Sequence, residues 1–209
     1  MKRLEHIFKI CPILYILAVL NLACPVFAGQ QATQAVTARK NEGGGCSTLY
    51  SQETGGSNAL FGYDTAIDRI YISSSYQAIS SDPVKTIYVS LKRNGAALQT
   101  VTLYMCPDNG SGHADIDANC TVADATLSAV DFGTDYSYQK YNITAGFAQV
   151  STTTYWIKLK ALNVSSSQYP ILEYYSTGSN TLEHSPDDSS WTTYDTSSEI
   201  RLILKACVE

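Results

Sequence analysis

The chain has 209 residues, with 14 Lys and Arg against 19 Asp and Glu and a formal charge of −5. That balance gives a nucleic-acid or anionic-membrane partner no electrostatic basis. The length allows one domain with a substantial core, and the abundance of Ser, Thr, Tyr and Gly suits a pleated, half-buried β-surface better than helix.

Residues 1–28 read as a secretory signal peptide. Lys2, Arg3 and Lys9 precede an apolar run from Ile10 to Ala23, and Val26-Phe27-Ala28 forms a signal-peptidase pattern ahead of Gly29. The run is short for a span and is broken by Pro12 and Asn21, so no membrane insertion is expected after cleavage. Asn21-Leu22-Ala23-Cys24 is a rival lipoprotein-box reading, but Asn21 stands where leucine is expected and Pro25 follows. Cleavage removes Lys2, Arg3, Lys9 and Glu5, leaving eleven basic and eighteen acidic residues, a formal charge of −7. The mature protein is then expected to be secreted or at the cell surface, where its cysteines can pair.

Residues 29–45 are polar, aperiodic and end in Gly43-Gly44-Gly45, which predicts a flexible lead-in to one domain over 46–209. Strands are expected at Ile67–Ser73, with Ile70 and Ile72 on one face, and at Val84–Lys92, where Ile87, Val89 and Leu91 alternate. Asn94-Gly95 predicts a tight hairpin turn into a returning strand carrying Val101, Leu103 and Met105. Further strands are expected at Tyr138–Thr144, Thr153–Leu162, Pro170–Ser176 and Glu199–Ala206, the last with Ile200, Leu202 and Leu204 facing one way. Seven or more strands without helices predict an all-β fold: an antiparallel β-sandwich of the jelly-roll kind, with a closed barrel as the alternative.

Four cysteines remain after the leader. Cys106 and Cys120 bracket a loop rich in Gly, Asp and Asn and are expected to staple it, which leaves Cys46 to pair with Cys207. Zinc would call for a close Cys-x-x-Cys pair, and the sequence has none.

Asn58-Ala59-Leu60-Phe61, Ile67 to Ile72, Val101-Thr102-Leu103-Tyr104 and Thr154-Tyr155-Trp156-Ile157-Lys158-Leu159 occur in a telling order. In that order the chain resembles the secreted bacterial choice-of-anchor β-sandwich domains, which are similar in turn to jelly-roll carbohydrate-binding modules. The resemblance implies the fold and an extracytoplasmic location, and little about the ligand.

Candidate sites lie in loops and on strand faces. Between Cys106 and Cys120, Asp108, Asp115, Asp117 and Asn119 offer hard oxygens for Ca²⁺, although Asp, Asn and Gly are also the ordinary residues of a long turn. Strand alternation sets Tyr71, Tyr88, Tyr104 and Trp156 opposite the core residues, where they either stack on sugar rings or pack beneath a long loop. Asp187, Asp188, Trp191 and Tyr194 form a second cluster in a polar segment and are the leading candidates for ligand binding. No catalytic constellation stands out: His113 and His184 lie in turn-rich segments without a nucleophile motif, and no carboxylate pair singles itself out. The expectation is therefore a non-catalytic extracellular module that binds a glycan. The alternative is a structural subunit of a surface assembly, joined by self-assembly.

Overall fold

The structure, a computed structural model, describes Cys46–Glu209 apart from residues 54–55, 63–68, 97–98, 129, 177 and 179. The expected leader, the lead-in and Ile67 lie outside the described residues. In chain order the strands are β1 (Thr48–Gln52), β2 (Ser57–Leu60), β3 (Tyr71–Gln77), β4 (Val84–Asn94) and β5 (Thr100–Pro107). A 3-10 turn at Asp117–Asn119 precedes β6 (Thr121–Val122), β7 (Leu127–Ser128), β8 (Ser137–Phe147) and β9 (Thr154–Leu162). Last come β10 (Tyr169–Tyr175), β11 (Leu182–Ser185), β12 (Thr192–Asp195), β13 (Glu199–Ile200) and β14 (Leu202–Lys205).

These strands make two antiparallel seven-stranded sheets packed face to face, a β-sandwich rather than a single closed barrel. In the first sheet β8 lines one edge of β4, while β14 and then β10 share its other edge. β1 adds to β14, and β2 and β13 lie against β10. The second sheet runs β12-β11-β3-β9-β5, with β6 and β7 on the far side of β5. Consecutive long strands alternate between the sheets, so each loop between them crosses the sandwich.

The alternating apolar residues meet in the space between the sheets. Ile87, Val89, Leu91, Val101, Leu103, Met105, Ile200, Leu202 and Leu204 are each no more than 2% exposed. Each such side chain stabilises by roughly 1.5–3 kcal/mol relative to leaving it in water. The expected strand at Glu199–Ala206 is interrupted at Arg201, whose N–H bonds Glu173 on β10 and whose carbonyl accepts from Ser90 on β4. That one residue therefore ties three strands together.

The Asn94-Gly95 hairpin does not form. β4 and β5 belong to different sheets, and the segment begins a crossover instead. Gly95 is still demanded, for another reason: its φ is +77°, and an added Cβ would lie 2.2 Å from the Ser167 carbonyl oxygen. The β3 strand starts later than its sequence pattern suggests. His184, expected in a turn, lies on β11 with 3% exposure and faces Ile72 across the pair.

Both expected disulfides are present. Cys46–Cys207 joins the start of β1 to the end of β14 with Cα atoms 5.4 Å apart, and Cys106–Cys120 closes the loop after β5 with Cα atoms 4.3 Å apart. Two such bonds are the mark of an oxidising compartment. Among the described residues no helix is long and apolar enough to cross a membrane.

Candidate functional site

The outward side of the second sheet carries the chain's chemistry. Strand register places its side chains in rows: Ser75, Trp156 and Cys106; then Glu183, Ser73, Lys158 and Tyr104; then Ser185, Tyr71, Lys160 and Thr102. On an open sheet this face would be wet. Here the stapled loop between Cys106 and Cys120 and the loop between β11 and β12 lie over it. Ser73 and Ser75 are buried, and Lys158 is fully buried.

Trp156 is thus a packing residue. It is 2% exposed, clusters with Cys106 and Ala114, and donates its Nε1–H to Asp108 Oδ2 at 3.1 Å. Trp191 packs against the same cluster, half-buried, and meets Tyr71 edge-to-face with centroids 6.4 Å apart. Of the two readings of the aromatic row, packing beneath a loop is the one the structure displays on this sheet. Tyr194 lies apart on β12, 36% exposed, edge-to-face with Tyr174 of the other sheet and with the Arg69 guanidinium over its ring.

Of the four Ca²⁺ candidates, Asp115 and Asn119 bond each other, while Asp108 and Asp117 are engaged elsewhere. Asp108 Oδ1 accepts from the N–H groups of Gly110 and Gly112, and its Oδ2 is taken by Trp156. Asp115 accepts from Ile116 N and Asn119 Nδ2. Asp117 turns inward, with Oδ1 2.8 Å from Lys158 Nζ and Oδ2 2.9 Å from Lys160 Nζ. The three carboxylates do not form a group whose oxygens all lie within 4.8 Å of one another. Two lysine ammoniums hold the oxygens that a divalent cation would need.

Asp188 completes this inner cluster. It accepts from Lys158 Nζ on Oδ1 at 2.5 Å and from the Asp117 N–H on Oδ2 at 2.6 Å, with its backbone in the left-handed region at φ 68°. Lys158 also donates to the Asp115 carbonyl at 2.8 Å, and Tyr71 donates to Asp117 Oδ2 at 3.2 Å. Two ammoniums and two carboxylates make the cluster neutral, the condition under which charges tolerate burial. Burial pushes the Asp117 carboxyl up, but the bonds and charges of Lys158 and Lys160 outweigh it and hold the group below its ordinary value. Asp187, by contrast, faces solvent and caps its own loop, accepting from the N–H groups of Ser189 and Ser190, which hold it well below the carboxylate range.

A second buried acid lies alongside. Glu183 of β11 accepts from Ser73 Oγ at 2.8 Å and Ala114 N at 3.0 Å, and its Oε2 lies 2.6 Å from His113 Nδ1. Burial raises its carboxyl, against the lowering effects of Ala114, His113 and Ser73. The stapled loop is thereby pinned to the sheet at both Glu183 and Lys158.

Beside this roof, at the end of the second sheet, opens a polar cleft of about 610 Å³. Ser75 and Gln77 of β3, Thr154 of β9, Asp108 of the stapled loop and Asn180 and Thr181 before β11 line it. Asn180 Nδ2 donates to Tyr50 OH, Gln77 Nε2 donates to the Thr152 carbonyl, and Ser75 Oγ accepts from Thr181 N. Gln77, Asn180, Thr154 and Thr181 thus bring side-chain amides and hydroxyls to the lining.

Sequence reasoning singles out neither Lys158 and Glu183 as buried charges nor the cleft. The one signal was Lys158 and Lys160 alternating with Trp156 on the face opposite the core, which is unusual only once that face is covered. No protein-family model matches the chain, and no curated protein matches it.

Proposed function

We infer that the protein is a secreted, non-catalytic extracellular module that binds a neutral glycan in the cleft at the end of the second sheet. The observation that carries this is the lining itself. Hydroxyls and side-chain amides surround a space of about 610 Å³ with one carboxylate, Asp108, whose oxygens are already engaged within the chain. Such a set exchanges hydrogen bonds with hydroxyl groups and offers no charge to pair with an anion. The resemblance to choice-of-anchor β-sandwich domains, which are similar in turn to jelly-roll carbohydrate-binding modules, and the two disulfides are consistent with this reading. A glycan array with the full chain tests it. The wild type should retain neutral sugars, and a Gln77→Ala, Thr154→Ala variant of unchanged melting temperature should not. A wild type that binds none of them, or a variant that binds equally well, rejects the cleft.

One observation favours a structural subunit instead. β12 pairs only with β11 among the described residues, its Thr192, Thr193 and Tyr194 are exposed, and an open edge of this kind can be extended by another chain. Concentration-dependent association in sedimentation, abolished by Thr193→Pro, would support that alternative.

A further inference from the structure

Lys158 is a primary amine with no solvent exposure, held against a carboxyl group by three converging contacts. Its Nζ lies 2.5 Å from Asp188 Oδ1, inside the usual 2.7–2.9 Å of an ammonium–carboxylate bond. On the other side of Nζ, Asp117 Oδ1 lies 2.8 Å away. Asp188 Oδ2, the oxygen not facing the amine, accepts the Asp117 backbone N–H at 2.6 Å. Lys160 and Tyr71 both bind Asp117 Oδ2, which fixes that carboxylate with its other oxygen on Lys158. The rings of Tyr71 and Tyr104 flank the amine, each with its centroid about 5.5 Å from Nζ (5.5 and 5.4 Å).

This arrangement has the parts of an acyl transfer: a nucleophile, an electrophilic carboxyl, a proton carrier and a donor for the developing oxyanion. We propose that Lys158 and Asp188 condense to an intramolecular amide that covalently ties β9 to the loop between β11 and β12, with Asp117 carrying the proton.

The step balances without any co-reactant. Proton transfer from the Lys158 ammonium to the Asp188 carboxylate across their direct hydrogen bond gives the amine and the carboxylic acid that the condensation requires. The Nζ lone pair attacks Asp188 Cγ, forming the C–N bond while negative charge gathers on Oδ2 beneath the Asp117 N–H. Asp117 Oδ1 takes one proton from Nζ and passes it to the Oδ1 hydroxyl of Asp188. The C–O bond breaks and one water leaves, its way out being the part-exposed side of Asp117. The remaining amide N–H keeps the Asp115 carbonyl as its acceptor. Proximity makes this feasible, because groups fixed at contact distance react as though at very high concentration.

Mass spectrometry of the full chain after disulfide reduction tests the proposal directly. Measured against a Lys158→Arg variant and corrected for the substitution, the wild type should be lighter by one water. Its proteolytic digest should contain a branched peptide joining the Lys158 and Asp188 segments. An Asp117→Asn variant with a wild-type circular dichroism spectrum should keep the water and yield linear peptides. A wild type at full mass after prolonged incubation, or a water loss that maps to another residue, overturns the amide. Water loss that persists in Asp117→Asn overturns the role given to Asp117. The wild-type digest decides the question even if neither variant folds.

Discussion

The two disulfides differ in what they hold, and removing them one at a time separates chain entropy from roofing. Cys46–Cys207 closes 161 residues and Cys106–Cys120 closes 14, so the chain-entropy relation assigns them about 5 and about 3 kcal/mol. In a domain of this size each kcal/mol moves Tm by about 2–4 °C. Paired Cys→Ala substitutions should therefore lower Tm by about 10–20 °C for the long staple and about 6–12 °C for the short one. The structure adds a qualitative difference. Both tryptophans of the chain, Trp156 and Trp191, pack in the cluster around Cys106, beneath and beside the stapled loop. Tryptophan fluorescence therefore reports on the packing of the roof against the second sheet, while far-UV circular dichroism reports on the sheets as a whole. In urea, Cys106→Ala, Cys120→Ala should lose its fluorescence signal at a lower denaturant concentration than its dichroism, the roof lifting before the sandwich opens. Cys46→Ala, Cys207→Ala should show coincident transitions at a reduced midpoint. Coincident transitions in the short-staple variant would refute the idea that the bond holds the roof down.

Three other outcomes are expected. Trp191→Ala should lower stability by on the order of 2 kcal/mol, less than the roughly 3–5 kcal/mol of a fully buried aromatic, measured by urea denaturation; a change near zero would contradict its packing on Tyr71 and the Cys106 cluster. Because burial holds the Glu183 carboxyl above its ordinary 4.5, the group stabilises the fold while protonated, and that contribution is lost as pH rises through the raised value. Glu183→Gln, neutral throughout, should flatten this decline in Tm across the range above pH 4.5, and an unchanged slope would show that Glu183 is not its source. Millimolar Ca²⁺ should leave Tm where a chelator leaves it, since Asp117 is committed to Lys158 and Lys160; a calcium-dependent rise would mean that the stapled loop rearranges around the ion.

Period-two alternation of apolar residues is a local property, and it was enough to place β4, β5, β9 and β14 and to assign Ile87, Val89, Leu91, Leu103 and Leu202 to the core. The disulfide pairing was legible for a similar reason: Cys106 and Cys120 are near neighbours around a turn-rich loop, which left one partner each for the other two cysteines. Alternation also set Trp156, Lys158, Tyr71 and Tyr104 correctly on the face opposite the core. Whether that face meets water is a different kind of fact. It depends on where the segments 107–120 and 186–191 fold back, and those segments have no periodicity to read. Covering the face turned Trp156 from a platform into packing, and Asp117 and Asp188 from a metal ligand and a loop carboxylate into partners of a buried lysine. The Asn94-Gly95 turn shows the same limit, since its backbone chemistry is local but the sheet its next strand joins is settled by which edges remain free. Burial, and with it the choice between binding group and structural ion, is a property of the assembled sandwich, because solvent is excluded only when distant segments meet.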